Sequence, residues 1–243
     1  MDYEKDFSDG YFTHSVGKLH FRHHAGNGKA IVFVHGLGGN ARTWRKLCTH
    51  LDGNLDLYLI DLLGHGKSDA PDVDYTVKLN TEIVNGMIKS WGLSRCLIFG
   101  HSYGGWIAAR CAMSNRAVKA LVLEDSAGLE EFASDRSDAN PEYREEQIRR
   151  AIEINPRPHV LKSMVHSDNA AYFLNEANLA ELAVPSMIIW GSKDEIVDIR
   201  YAKVFKRYIR DSRLEVLHGS GHVPHYTDPE KVAELLGDFM RSL

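Results

Sequence analysis

Runs of apolar residues recur along the chain, each stopping at a glycine or an acidic residue. AIVFVHG (30–36) is followed by LDLYLID (55–61), RCLIFG (95–100), VKALVLED (118–125), PSMIIWG (185–191) and RLEVLHG (213–219). Unbroken runs of this length suit strands buried on both faces of a parallel sheet, because a strand with one wet face alternates instead. YFTHSV (11–16) and KLHFRH (18–23) do alternate, around Gly17, and predict an antiparallel hairpin. Helical spacing fills the intervals at about 41–51, 77–91, 103–114 and 199–209. In the last helix, 228–242, Val232, Leu235, Leu236, Phe239, Met240 and Leu243 form one stripe. Strand followed by helix, repeated, predicts an α/β fold: a mostly parallel, eight-stranded sheet with helices on both faces.

One interval breaks the rhythm. Between the runs ending at Asp125 and starting at Pro185, the segment 126–182 is charged, helical in character and free of strand patterns. Pro141 fits the first turn of a helix over EYREEQIRRAIEI. Pro156 and Pro158 are expected to end that helix. The chain therefore divides into a core (1–125 and 183–243) and a small helical insert (126–182) lying over the sheet.

Composition narrows the class. The net charge of −4, from 29 basic and 33 acidic residues, argues against a general nucleic-acid or anionic-membrane surface. The three cysteines are odd in number and lack a CxxC spacing, which argues against a disulfide framework or a zinc site. The acidic start, MDYEKDFSDGYF, has no apolar h-region, and no run approaches the ~18 residues of a membrane span. The expectation is a cytoplasmic protein. Oligomeric state is not legible in these patterns.

The candidate chemistry sits where strands stop. Gly100-His101-Ser102-Tyr103-Gly104 reads GxSxG between a buried-strand pattern and a helix pattern. Exposing a serine hydroxyl at a strand's carboxyl end requires an abrupt reversal, and glycines two positions either side relieve the clash it creates. His35-Gly36-Leu37-Gly38-Gly39 follows an earlier strand and can aim a backbone amide at a developing oxyanion; Leu37 and Tyr103 are the expected donors. His222, in GHVPH after the last strand, is the expected general base. Asp194, in GSKDE after the run 185–191, is the expected orienting acid, with Glu124, Asp125 and Asp198 as rivals. His225 invites a metal pair with His222, but no third ligand at usable spacing accompanies it, so no metal is expected, and a serine–histidine–aspartate mechanism requires no cofactor.

Taken together, HGLGG (35–39), DLLGHGKSD (61–69), GHSYGG (100–105), GSKDEIVD (191–198) and GSGHVPHYTDPE (219–230) resemble the α/β-hydrolase fold family over nearly the whole chain. In that resemblance Asp61, His65 and Ser68 fall in a structural turn, and 126–182 corresponds to the cap over the active site. Epoxide hydrolases and haloalkane dehalogenases carry aspartate at the position of Ser102. Epoxide hydrolases also carry HGxP, and proline iminopeptidases carry HGGPG, neither of which is present here. The serine branch remains, and it implies hydrolysis of a small or medium carboxylic ester through an acyl-enzyme. A carbon–carbon hydrolase of vinylogous diketones with the same triad, or a weakly catalytic small-molecule receptor, are the alternatives. The expected substrate-contacting residues are His35, Gly36, Trp106, Phe132, Met164, Tyr172, Phe173 and Val223.

Overall fold

The computed structural model describes residues 1–132 and 141–243. Its sheet comprises β1 (Ser8–His14), β2 (Gly17–His24), β3 (Ala30–Val34), β4 (Asp56–Ile60), β5 (Cys96–His101), β6 (Val118–Glu124), β7 (Ser186–Gly191) and β8 (Ser212–Leu217). The spatial order is β1-β2-β4-β3-β5-β6-β7-β8. β1 and β2 pair antiparallel as the hairpin, β2 pairs antiparallel with β4, and every later pairing is parallel.

Two apolar layers explain why the central strands are unbroken apolar runs. Val32, Val34, Tyr58, Ile60, Ile98, Ile188 and Trp190 pack into one core cluster. Their neighbours Ile31, Phe33, Leu57, Leu59, Leu97, Phe99, Met187 and Ile189 pack into the other. Successive side chains of a strand point to opposite faces, so both faces must be apolar. The first layer is covered by α2 (Val77–Ser90), α3 (Tyr103–Ser114) and α8 (Arg200–Tyr208). The second is covered by α1 (Arg45–Cys48) and α9 (Pro229–Arg241), whose Val232, Leu235, Leu236 and Phe239 are buried. Each such side chain contributes ~1.5–3 kcal/mol.

The insert between β6 and β7 contains α4 (Glu130–Phe132), α5 (Pro141–Ile152), α6 (Pro158–His166) and α7 (Glu176–Ala180). It is tied to the core by hydrogen bonds from core side chains and core backbone amides. Trp106 Nε1–H donates to the Tyr172 carbonyl (2.6 Å) and Arg110 Nε–H to the same oxygen (2.7 Å). The Tyr75 amide donates to Ser163 Oγ (2.9 Å), and the Val77 amide to Asn169 Oδ1 (2.8 Å). No helix among the described residues is long and apolar enough to cross a membrane.

Two local expectations differ from the structure. The helix over 41–51 is a 3₁₀ turn, Ala41–Trp44, followed by the short α1. Asn40 caps the Arg42 amide (2.9 Å) and the buried Asp61 carboxylate holds the Ala41 amide (2.6 Å), and these bonds set a tighter first turn. Pro158 opens α6 rather than closing α5. A proline lacks only an N–H that a first turn does not use.

Candidate active site

β5 ends at His101, α3 starts at Tyr103, and Ser102 alone makes the reversal between them, at φ 52° and ψ −119°. That backbone is strained for a residue bearing a Cβ. It is held by the Ser102 amide donating to the Glu124 carbonyl (2.9 Å) and the Ala127 amide donating to the Ser102 carbonyl (3.1 Å). A Cβ at Gly100 would lie 2.3 Å from the Gly104 carbonyl oxygen, and one at Gly104 would lie 2.2 Å from that of Val34. The flanking glycines are therefore a steric requirement of the turn.

Three loops at the carboxyl edge of the sheet converge on the serine. His222 Nε2 lies 2.9 Å from Ser102 Oγ, and His222 Nδ1 lies 2.8 Å from Asp194 Oδ2. A carboxylate can only accept, so Nδ1 carries the hydrogen and Nε2 is left to accept from the hydroxyl. Asp194 Oδ1 accepts from the amides of Ile196 (2.8 Å) and Val197 (3.0 Å). Burial raises the pKa of Asp194, but the His222 hydrogen bond and charge outweigh it, so the carboxyl stays below its ordinary range.

Of the rival acids, Asp198 caps the Arg200 amide (2.8 Å) and Glu124 bonds the ring Nδ1 and backbone amide of His225. Asp125 accepts from the Gly191 amide (2.9 Å). His222 and His225 therefore belong to separate groups: His222 with Asp125 and Asp194, His225 with His101 and Glu124. The second group has the residue types of a metal site. Three of its four ring nitrogens are already engaged: His225 Nε2 with Thr43 Oγ1 (2.8 Å), His225 Nδ1 with Glu124, and His101 Nε2 with the His222 carbonyl (2.7 Å).

The loop after β3 presses against the elbow. A Cβ on Gly36 would stand 3.1 Å from Ser102 Cβ and 2.9 Å from His101 Nδ1. His35 is buried; its Nδ1–H donates to the Gly36 carbonyl (2.8 Å) while Nε2 accepts the Leu62 amide (3.1 Å). Gly38 has φ 75° and donates its amide to His65 Nε2 (3.2 Å). The amides of Leu37 and Tyr103 have no acceptor among the described residues. The Leu37 side chain packs on Ile148, Ala151 and Leu161 of the insert.

The remaining expected contacts are distributed between this cleft and the insert. Trp106 stacks on Phe173 with ring centroids 4.9 Å apart and planes at 9°, beside Tyr172. Met164 is buried in the first core cluster, and Val223 is half-buried beside His222. The side chain of Phe132 lies outside the described residues. Asp61, His65 and Ser68 form a buried scaffold under the loop.

Sequence reasoning left His101 and His65 without a role toward the site. His101 holds the backbone of His222, and His65 holds the backbone of Gly38. Adjacency to Ser102 was a signal for the first; nothing local pointed to the second. Burial pushes His65, His101 and His225 down to about 3, so all three are neutral. Burial pushes the neighbouring Glu124 up to about 7. Below the ordinary histidine value of 6.5, the unfolded chain binds protons that the folded one refuses, so stability falls as pH falls from 6.5 toward 3. Glu124 takes up a proton on folding between its ordinary 4.5 and 7, and Asp125, likewise raised by burial, takes up another, so together they offset two histidines of the three. Each uncompensated histidine contributes a slope of about 1.4 kcal/mol per pH unit. Melting temperatures recorded by circular dichroism are therefore expected to drop steadily below pH 6.5. A melting temperature that stays level down to pH 5 would show that these imidazoles accept protons in place.

The sequence profile described as "Alpha/beta hydrolase family" matches residues 31–235. The chain is 28% identical over 261 residues to the uncharacterized protein Rv2715 of Mycobacterium tuberculosis, covering 89% of this chain and 76% of that protein. It is 25% identical over 272 residues to the monoacylglycerol lipase ABHD6 of Rattus norvegicus, covering 92% and 78%. Among solved structures it superposes on a thermophilic esterase from Thermogutta terrifontis with a TM-score of 0.80 at 19% identity, covering 97% and 98% of the two chains.

Proposed function

The chain belongs to the alpha/beta hydrolase family, and we propose that within it this protein cleaves small or medium carboxylic esters through a serine acyl-enzyme. The observation that carries the reading is the hydrogen-bonded line from Ser102 Oγ through His222 to Asp194, at 2.9 and 2.8 Å, starting from a strained serine.

Ser102 Oγ attacks the ester carbonyl carbon while His222 Nε2 takes its proton, and Asp194 stabilises the imidazolium that forms. The negative charge moves to the carbonyl oxygen, where the unengaged amides of Leu37 and Tyr103 receive it. Each donor is worth ~3 kcal/mol in the transition state. Collapse expels the alkoxide, which takes the proton from His222. Water then attacks the acyl-enzyme with His222 again as base, releasing the acid and restoring the serine. The insert serves as a cap. Trp106, Phe132, Met164, Tyr172 and Phe173 are assigned to the substrate cavity together with His35, Gly36 and Val223. The name of the relative ABHD6, a monoacylglycerol lipase, supports an ester as substrate.

A panel of p-nitrophenyl esters of increasing acyl length, lactones and vinylogous diketones, run beside fluorophosphonate labelling, tests the reading. Labelling and turnover of the short to medium esters are expected. Faster turnover of the diketones would reassign the same site to carbon–carbon cleavage. A protein that neither labels nor turns over any of them would be a receptor.

A further inference from the structure

Asp125, the first residue after β6, lies beside the proposed triad without being hydrogen-bonded to the histidine. It is fully buried and sits at φ 44°, a region that a residue with a Cβ rarely occupies. Its Oδ1 accepts the Gly191 amide at 2.9 Å. Its Oδ2 is buried and receives no hydrogen-bond donor among the described residues. Ligand-type atoms of Asp125, Asp194 and His222 all lie within 4.8 Å of one another.

Two carboxyl groups thus share one dry pocket with one imidazole. The titratable groups facing them are Glu124, His101 and His225, and these form their own buried cluster. Two carboxylates this close cannot both be charged without a cation between them, so one holds a proton. The hydrogen bonds decide which. Asp194 accepts three N–H groups, from Ile196, Val197 and His222, whereas Asp125 accepts one. The charge therefore rests on Asp194, and the proton belongs on the partnerless Oδ2 of Asp125.

We propose that Asp125 is a positioning residue: its protonated carboxyl donates a hydrogen bond to Asp194 and holds that carboxylate against the imidazole of His222. The inference rests on the serine-hydrolase reading only for its kinetic consequence. Burial, with repulsion from Glu124 and Asp194, drives the Asp125 carboxyl well above its ordinary range. The strained backbone is also explained, since it aims this one side chain from the end of β6 to the end of the neighbouring β7.

An asparagine reproduces a protonated aspartate: its carbonyl oxygen accepts from Gly191 and its amide donates to Asp194. Asp125→Ala is expected to lower kcat on a p-nitrophenyl ester by about tenfold with KM little changed, the scale of one lost hydrogen bond to a charged group. Asp125→Asn is expected to recover most of that loss and to leave the acid limb of the kcat/KM pH profile in place. If Asp125 instead carries a charge beside His222, Asp125→Asn would fare no better than Asp125→Ala and would move that limb down by about one pH unit. A turnover-independent measurement separates this inference from the esterase reading. Carboxyl ¹³C NMR of the full-length protein, assigned by comparison with Asp125→Asn, is expected to show Asp125 still protonated at pH 7. An ionised Asp125 at that pH overturns the proposal, whatever the enzyme hydrolyses.

Discussion

Ser102→Ala is expected to lower ester turnover by at least ~10⁴-fold while the protein melts close to wild type. The substitution removes only the Oγ that lies 2.9 Å from His222 Nε2. The backbone hydrogen bonds of residue 102, to the Glu124 carbonyl and from the Gly105, Trp106 and Ala127 amides, survive it. The φ of 52° is a property of the strand-to-helix reversal and stays with alanine, so the strain is neither added nor relieved. Residual rate acceleration would come from the Leu37 and Tyr103 amides and the cavity alone, because these bind the reacting group without attacking it. The checks are initial rates on a p-nitrophenyl ester, loss of fluorophosphonate labelling, and thermal melts on the same samples. A variant that keeps normal turnover would remove Ser102 from the mechanism.

Asp61→Ala is expected to destabilise the protein by ~3–5 kcal/mol. Asp61 is buried, and its carboxylate accepts from the amides of Ala41 (2.6 Å) and Lys67 (2.8 Å) and from His20 Nδ1 (2.7 Å). Alanine leaves the Ala41 amide and His20 Nδ1 in a dry interior with nothing to bond, and the Lys67 amide without its acceptor at the edge of that interior; that asymmetry makes the loss large. Total stability of a globular protein is ~5–15 kcal/mol, so a loss of this size takes about a fifth or more of it. The effect should reach the candidate active site as well, because only Asn40 separates Ala41 from the loop 35–39 that carries the Leu37 amide. A urea titration is the measurement, with the midpoint falling and its slope unchanged. A midpoint equal to wild type would mean that the turn at 61–69 does not depend on this carboxylate.

Much of the candidate site was legible because its parts lie at strand ends. The glycines around Ser102 announce a reversal that no other residue tolerates, and the order of Ser102, Asp194 and His222 follows the order of the strands. The choice among acids was less legible. Asp125 and Asp194 both end apolar runs, and local pattern cannot show which carboxylate meets His222. In the structure, the His222 ring reaches Asp194, and Asp125 turns to the Gly191 amide instead. The cap contacts were less legible still. Trp106 and Phe173 are far apart in sequence, and their stacking follows from where the insert folds back.

By itself, the sequence determined the strands, most of the helices and the sharp turns. Those depend on side-chain periodicity and backbone sterics, which act over a few residues. Only the tertiary structure decided which buried groups are partners: His65 with Gly38, His101 with His222, His225 with Glu124, and Asp125 with Gly191. Hydrogen bonds act over about 3 Å, and chain segments distant in sequence come that close only after the sheet has set the order of its strands.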